Sequence, residues 1–146
     1  FGSDDKFDYT VIGDGVNRAS RLQGTTKQYG VQLIVGEKPW KRLGNRIAGR
    51  EIDRIQVQGK LEPTRIFNPV GVPPLDETEQ QFLNHFNAGI AAFQDRKWHD
   101  ALTLFQKTLA IDNDDVPSQL YIERCERFMA TPPPADWSGV TTMTVK

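Results

Sequence analysis

Asn17 and Arg21 stand four residues apart in the run Asp8-Tyr9-Thr10-Val11-Ile12-Gly13-Asp14-Gly15-Val16-Asn17-Arg18-Ala19-Ser20-Arg21-Leu22. On a helix that spacing puts both side chains on one face. An amide and a guanidinium aimed at one point can stabilise negative charge on a transferring phosphoryl group. An isolated pair of this kind is usually a solvated stretch of helix surface. Here the length and order of the surrounding run give the pair its weight.

The elements that must position the pair can be read on either side of it. Phe7 to Ile12 is rich in aromatic and β-branched residues and predicts a strand. Gly13-Asp14-Gly15 predicts a turn, with Asp14 able to cap a helix in which Val16, Ala19 and Leu22 recur at helical spacing. Val31 to Val35 predicts a second strand and Glu37 to Leu43 a short helix. Ile47 to Val57 and Thr64 to Val70 predict two further strands joined through Gln58-Gly59-Lys60-Leu61-Glu62-Pro63. Strands interleaved with helices define an α+β unit.

The run from Asp8 to Leu22 resembles the signature of class III nucleotidyl cyclases, which make cyclic AMP or cyclic GMP. Arg50-Glu51-Ile52-Asp53 through Val57-Gln58-Gly59-Lys60 resembles the late part of the same catalytic domain. In that family the site lies between two catalytic domains of a head-to-tail dimer. One face supplies two metal-holding aspartates, the other the purine pocket and the transition-state residues. The resemblance implies that Asn17 helps place the ribose and that Arg21 stabilises charge at the α-phosphorus. Thr10, seven residues before Asn17, matches the position that helps choose the purine. Threonine there favours ATP over GTP, since its hydroxyl can serve the adenine edge as donor or acceptor. Val11 would pack near the purine, and Lys60 would reach the triphosphate. Gln58 stands where the family often has a second lysine, which leaves Lys60 as the lone point charge of that motif.

The signature falls close to residue 1, so the resemblance implies the back half of a catalytic domain, over residues 1–70, with the metal aspartates upstream. Mg2+ or Mn2+ would serve the parent enzyme through ligands outside this chain, and none is expected on the chain itself. Asp4 and Asp5 read as a solvated loop. His85 and His99 lack acidic or cysteine partners at ligand spacing. The chain alone is therefore expected to make no cyclic nucleotide from ATP and manganese, and cyclic AMP above a no-protein control would contradict this.

Gly71-Val72-Pro73-Pro74-Leu75 predicts a boundary, with a linker over 71–76. Beyond it the pattern is helical. Glu77 to Gln94 carries Phe82, Phe86, Ile90 and Phe93; Trp98 to Ala110 carries Ala101, Leu104, Phe105 and Leu109; Pro117 to Met129 carries Leu120, Tyr121, Cys125 and Phe128. Gly89, Phe93, Trp98, Ala101, Phe105, Leu109 and Asp112 match the spacings of one tetratricopeptide repeat within the helical region 77–130, though Thr108 and Asn113 replace its usual alanine and proline. A single repeat cannot enclose its own core. Its apolar face is expected to dock on the cyclase-like half or on a second copy of the chain, which makes a homodimer the expected state. Residues 131–146, opening with Pro132-Pro133-Pro134, predict an extended tail. The pairing of cyclase half, helices and tail is similar to bacterial adenylate cyclases that carry sensor domains at the N-terminus.

Composition limits the alternatives. Lys and Arg total 18 against 19 Asp and Glu, a net charge of −1, which argues against nucleic-acid partners and direct membrane contact. One cysteine, Cys125, excludes an internal disulfide framework and suits a reducing cytoplasm, even for a parent anchored through upstream segments. The fold class expected is thus α+β: a partial cyclase domain followed by all-α, repeat-like helices. The function expected is part of an adenylate cyclase converting ATP to cyclic AMP and pyrophosphate in signal transduction. The rival is a non-catalytic interaction or dimerisation module, whose helices bind a peptide or protein and whose cyclase-like half is a scaffold.

Overall fold

In a computed structural model, residues 26–57 and 63–143 are described. Residues 26–29 are helical and lead through Gly30 into strand β1 (Val35–Gly36). Helix α1 (Glu37–Leu43) and a short 3-10 turn follow, then β2 (Ala48–Val57) and β3 (Thr64–Gly71). Three helices come next: α2 (Glu77–Gln94), α3 (Trp98–Ile111) and α4 (Val116–Ala130). A last strand, β4 (Thr141–Met143), closes the described chain. The sheet order is β1-β3-β2-β4, antiparallel except for β4, which runs parallel to β2. The expected α+β class is what the chain adopts.

The helices form where their sequences can cap and bury them. Asp76 and Glu79 exchange side-chain and backbone bonds in a capping box that starts α2. Its buried residues Leu83, Phe86, Gly89, Ile90 and Phe93 recur at threes and fours. Asp115 caps α4, with Pro117 in the first turn. Phe86, Phe93, Phe105 and Tyr121 interlock with ring centroids 4.9–6.2 Å apart, mostly edge to face. A second core under the sheet gathers Tyr29, Ile34, Ile52, Ile55 and Ile66, with Leu120 of α4 packed against it. The helical unit therefore does lean on the sheet, by way of α4.

Gly30 and Gly89 are among the glycines that geometry requires. Gly30 has φ +66, and a Cβ there would lie 2.6 Å from Val116. Gly89 lets α3 approach α2, since a Cβ would lie 2.8 Å from the edge of the Phe105 ring. Gly89→Ala is expected to cost about 1–3 kcal/mol through overpacking. A thermal melt of the variant checks this, and a melting temperature at or above that of the wild type would contradict it.

One expectation is corrected. The strand expected over Val31 to Val35 is paired only at Val35 and Gly36, opposite Phe67 and Ile66. Within the tail, Thr141 to Met143 lie beside Ile55 to Val57 of β2. Trp137 anchors the tail among Phe93, Trp98 and Phe128, with centroids 5.4–5.5 Å apart. Arg96 donates to the carbonyls of Pro133 and Pro134.

Candidate functional site

The five residues singled out from the sequence, Thr10, Val11, Asn17, Arg21 and Lys60, lie outside the described residues. The structure describes what flanks them: the helical residues 26–29 after Arg21, and β2 and β3 on either side of Lys60. The chemistry it does place sits on β2, in two buried clusters.

The first is built around Arg50. Its guanidinium forks onto Asp115, with Nη1 and Nη2 at 2.9 and 2.8 Å from the two carboxylate oxygens, while Nε donates to Asn68. Phe82 and Phe86 lie against it, the guanidinium carbon 5.1 and 4.5 Å from their centroids. Arg50 and Asp115 are only 5% and 7% exposed, so each charge depends on the other. Asp115 also accepts from the Ser118 amide and hydroxyl, and the Ser118 hydroxyl shares a hydrogen bond with Thr108.

The second is built around Asp53, which is 1% exposed. Strand pairing passes from Glu51 opposite Phe67 to Asp53 opposite Ile66, leaving Ile52 as an extra residue. Such a bulge re-aims the side chains that follow it. Asp53 accepts from the Tyr29 hydroxyl at 2.5 Å and pairs with Arg124 at 2.9 Å. The Tyr121 hydroxyl lies 2.7 Å from the Ile52 carbonyl and 3.2 Å from Asp53.

Burial, and then the Asp53 carboxylate, hold the Tyr29 and Tyr121 hydroxyls well above the ordinary tyrosine range. Burial opposes the charge on Arg124, but Tyr121 and Asp53 outweigh it and hold its proton more firmly. Burial also pushes the Cys125 thiol up to about 12. For a tyrosine with a raised folded pKa, the folded state keeps a proton that the unfolded state loses above about pH 10. Stability should therefore fall as pH rises past that point. In melts from pH 8 to 11, Tyr29→Phe should flatten the alkaline part of the curve, and an unaltered slope would contradict the assignment.

A cleft of about 630 Å3 opens where β3 meets α2 and α3, lined among others by Leu33, Val72, Phe82 and Ile111, with Glu79 and Asp112 on its polar side. Among the described residues, no group of three His, Cys, Asp or Glu side chains is placed to hold a metal ion. The described donors thus do not fit the divalent cations that the sequence resemblance implies. No helix among the described residues is long and apolar enough to cross a membrane.

The buried charges escaped the sequence reading, although two signals were present. Arg50, Glu51 and Asp53 crowd one strand, and Arg124 falls on the same helical face as Tyr121, Cys125 and Phe128. A charge on an apolar stripe needs a buried partner.

Comparison with known proteins points the same way as the signature. The chain is 26% identical over 135 residues to the adenylate cyclase, terminal-differentiation specific, of Dictyostelium discoideum, a match covering 89% of this chain and 6% of that protein. It is 41% identical over 69 residues to an adenylate cyclase of Anabaena cylindrica, covering 45% of this chain and 14% of the relative. Adenylate cyclase 1 of Rhizobium meliloti (strain 1021) shares 30% identity over 71 residues, covering 49% and 11%. No family model and no solved structure matches. The chain is thus distantly related to adenylate cyclases over most of its length, while spanning 6–14% of the length of these relatives. A match of 135 residues cannot fit within residues 1–76, so the first relationship extends into the helices.

Proposed function

We propose that the chain is part of an adenylate cyclase that converts ATP to cyclic AMP and pyrophosphate in signal transduction. The observation that carries this reading is the similarity to three adenylate cyclases, together with the ordered run from Asp8 to Leu22. In this reading Asn17 orients the ribose, and Arg21 meets the charge that develops at the α-phosphorus as the 3′-oxygen attacks. Thr10 and Val11 form part of the adenine pocket, and Lys60 binds the triphosphate. Mg2+ or Mn2+ is held by residues outside this chain and supplies charge neutralisation when bound. The division into a cyclase half over 1–70, a linker over 71–76 and tetratricopeptide-like helices over 77–130 belongs to the same reading, as do a cytoplasmic site of action and a homodimer.

The contact of Gly89 with Phe105 between α2 and α3 supports the repeat-like reading of the helices. The test is cyclic AMP production by the full-length protein that carries this chain, purified with ATP and manganese. Turnover of ATP well ahead of GTP is expected. A protein that makes neither cyclic nucleotide would support the interaction-module reading instead.

A further inference from the structure

We propose that the cleft where β3 meets α2 and α3 takes an extended, apolar segment of a partner protein that carries lysine or arginine, laid along the open edge of β3. The inference stands apart from the adenylate cyclase reading and uses none of its residues.

The edge comes first. β3 runs to Gly71, but β1 pairs with it only at Ile66 and Phe67. From Asn68 onward, among the described residues, β3 has a strand neighbour on one side only, namely β2. Residues 31–33 leave this edge, and it is the Asn68 side-chain amide that reaches across to the Leu33 carbonyl at 3.0 Å. Residues 31–33 and 68–72 thus form two walls of the cleft of about 630 Å3, with Phe82 and Ile111 supplied by the helices. An open strand edge is a template for a further extended chain. Pro69 has no N–H to offer, so the bonds to an added strand fall on residues 70–72.

The walls determine what that chain must carry. Val70, Val72 and Ile111 line the cleft and are 38%, 70% and 37% exposed. Among the described residues, the other large apolar side chains so exposed are Val116 and Met129, and Val116 lies against Gly30 of the same cleft. Apolar exposure gathered in one place marks a contact surface. The charged side chains that line it, among the described residues, are Arg50, Asp115, Glu79 and Asp112. Arg50 and Asp115 neutralise each other through their fork. Glu79 and Asp112 accept from the backbone amides of Asp76 and Asp114, which leaves both carboxylate charges standing. A basic side chain on the incoming segment would meet them, and an acidic one would be repelled. A second copy of this chain meeting edge to edge would set the same acids against each other. A small molecule would leave the strand edge unpaired.

The test is an NMR titration of this chain, labelled at its backbone amides, with three capped octapeptides. In one, valine alternates with lysine; in the second, valine alternates with glutamate; in the third, serine alternates with lysine. The valine–lysine peptide should shift the amides of residues 31–33, 70–72 and 111–112 and bind about tenfold more tightly than either of the others. Methylating its alternate amide nitrogens, in both registers, should weaken at least one register about tenfold or more, because strand pairing needs those donors. The double variant Glu79→Gln, Asp112→Asn should lose about tenfold for the same peptide. Val72→Ser should lose a similar factor, about fivefold to tenfold, and its exposed position leaves the melting temperature unchanged.

No binding of the valine–lysine peptide at about 1 mM, or shifts that fall outside the cleft, would overturn the site. Equal binding of the lysine and glutamate peptides would overturn the basic partner. Full affinity in both methylated registers would overturn strand addition. Light scattering covers the remaining occupant: a dimer of the wild-type chain that Val72→Ser or the peptide converts to monomer would put a second copy in the cleft and overturn the partner protein.

Discussion

Asp115→Ala should lower the unfolding free energy of the chain by about 3–5 kcal/mol, a large part of the 5–15 kcal/mol typical of a domain. The variant leaves the Arg50 guanidinium between Phe82 and Phe86, with Asn68 as its remaining partner in the cluster. It also removes the cap from α4, because the same carboxylate accepts from the Ser118 amide. Urea unfolding followed by circular dichroism gives the value. The double variant Arg50→Met, Asp115→Leu should recover most of the loss, since it removes both charges and fills the space with apolar groups. A loss below about 1 kcal/mol for Asp115→Ala would show that water reaches Arg50 and screens it. A double variant as unstable as the single one would show that the cap, and not the ion pair, sets the cost.

Arg21→Ala in the full-length protein should lower kcat about a hundredfold or more while leaving the KM for ATP nearly unchanged, as expected for a donor that tightens on charge developing in the transition state. Asn17→Ala should act the same way. A raised KM with full turnover would make both residues ordinary binding contacts. Thr10→Cys should narrow the preference for ATP over GTP. The two competing substrates assayed side by side give the ratio, and a ratio equal to that of the wild type would remove Thr10 from the purine pocket.

The helical part of the fold was legible because helix signals are local. The Asp76 and Glu79 capping pair, the stripe from Phe86 to Phe93 and the proline in the first turn of α4 all act within a few residues. The strands β2 and β3 were legible for a similar reason, since their β-branched runs are bounded by Gly59 and Pro63. What depended on distant partners was not. Val31 to Leu33 has strand composition, but β1 pairs with β3 only at Val35 and Gly36. Asp115, which holds Arg50, and Tyr121 and Arg124, which meet Asp53, lie more than 60 residues along the chain, where no spacing rule reaches. For the candidate site the balance is reversed. Thr10, Val11, Asn17, Arg21 and Lys60 are expected from motif alone, and the structure adds only the helical residues 26–29 and the strands β2 and β3 that flank them.

The pairing of β4 with β2 has a consequence for how the protein comes off the ribosome. Ile55 lies beside Thr141, with the entire helical unit between them in the chain. That edge of β2 therefore stays open while three helices are synthesised, and its neighbour is supplied only after them. Contacts so far apart in sequence form late, because the loop between them must be closed first. Until then the helices can fold on local contacts, but the exposed strand edge is available to another nascent chain. Messages truncated before the codon for Thr141 should thus yield a polypeptide with ordered helices and a sticky sheet. Such a product is a natural substrate for chaperones and proteases.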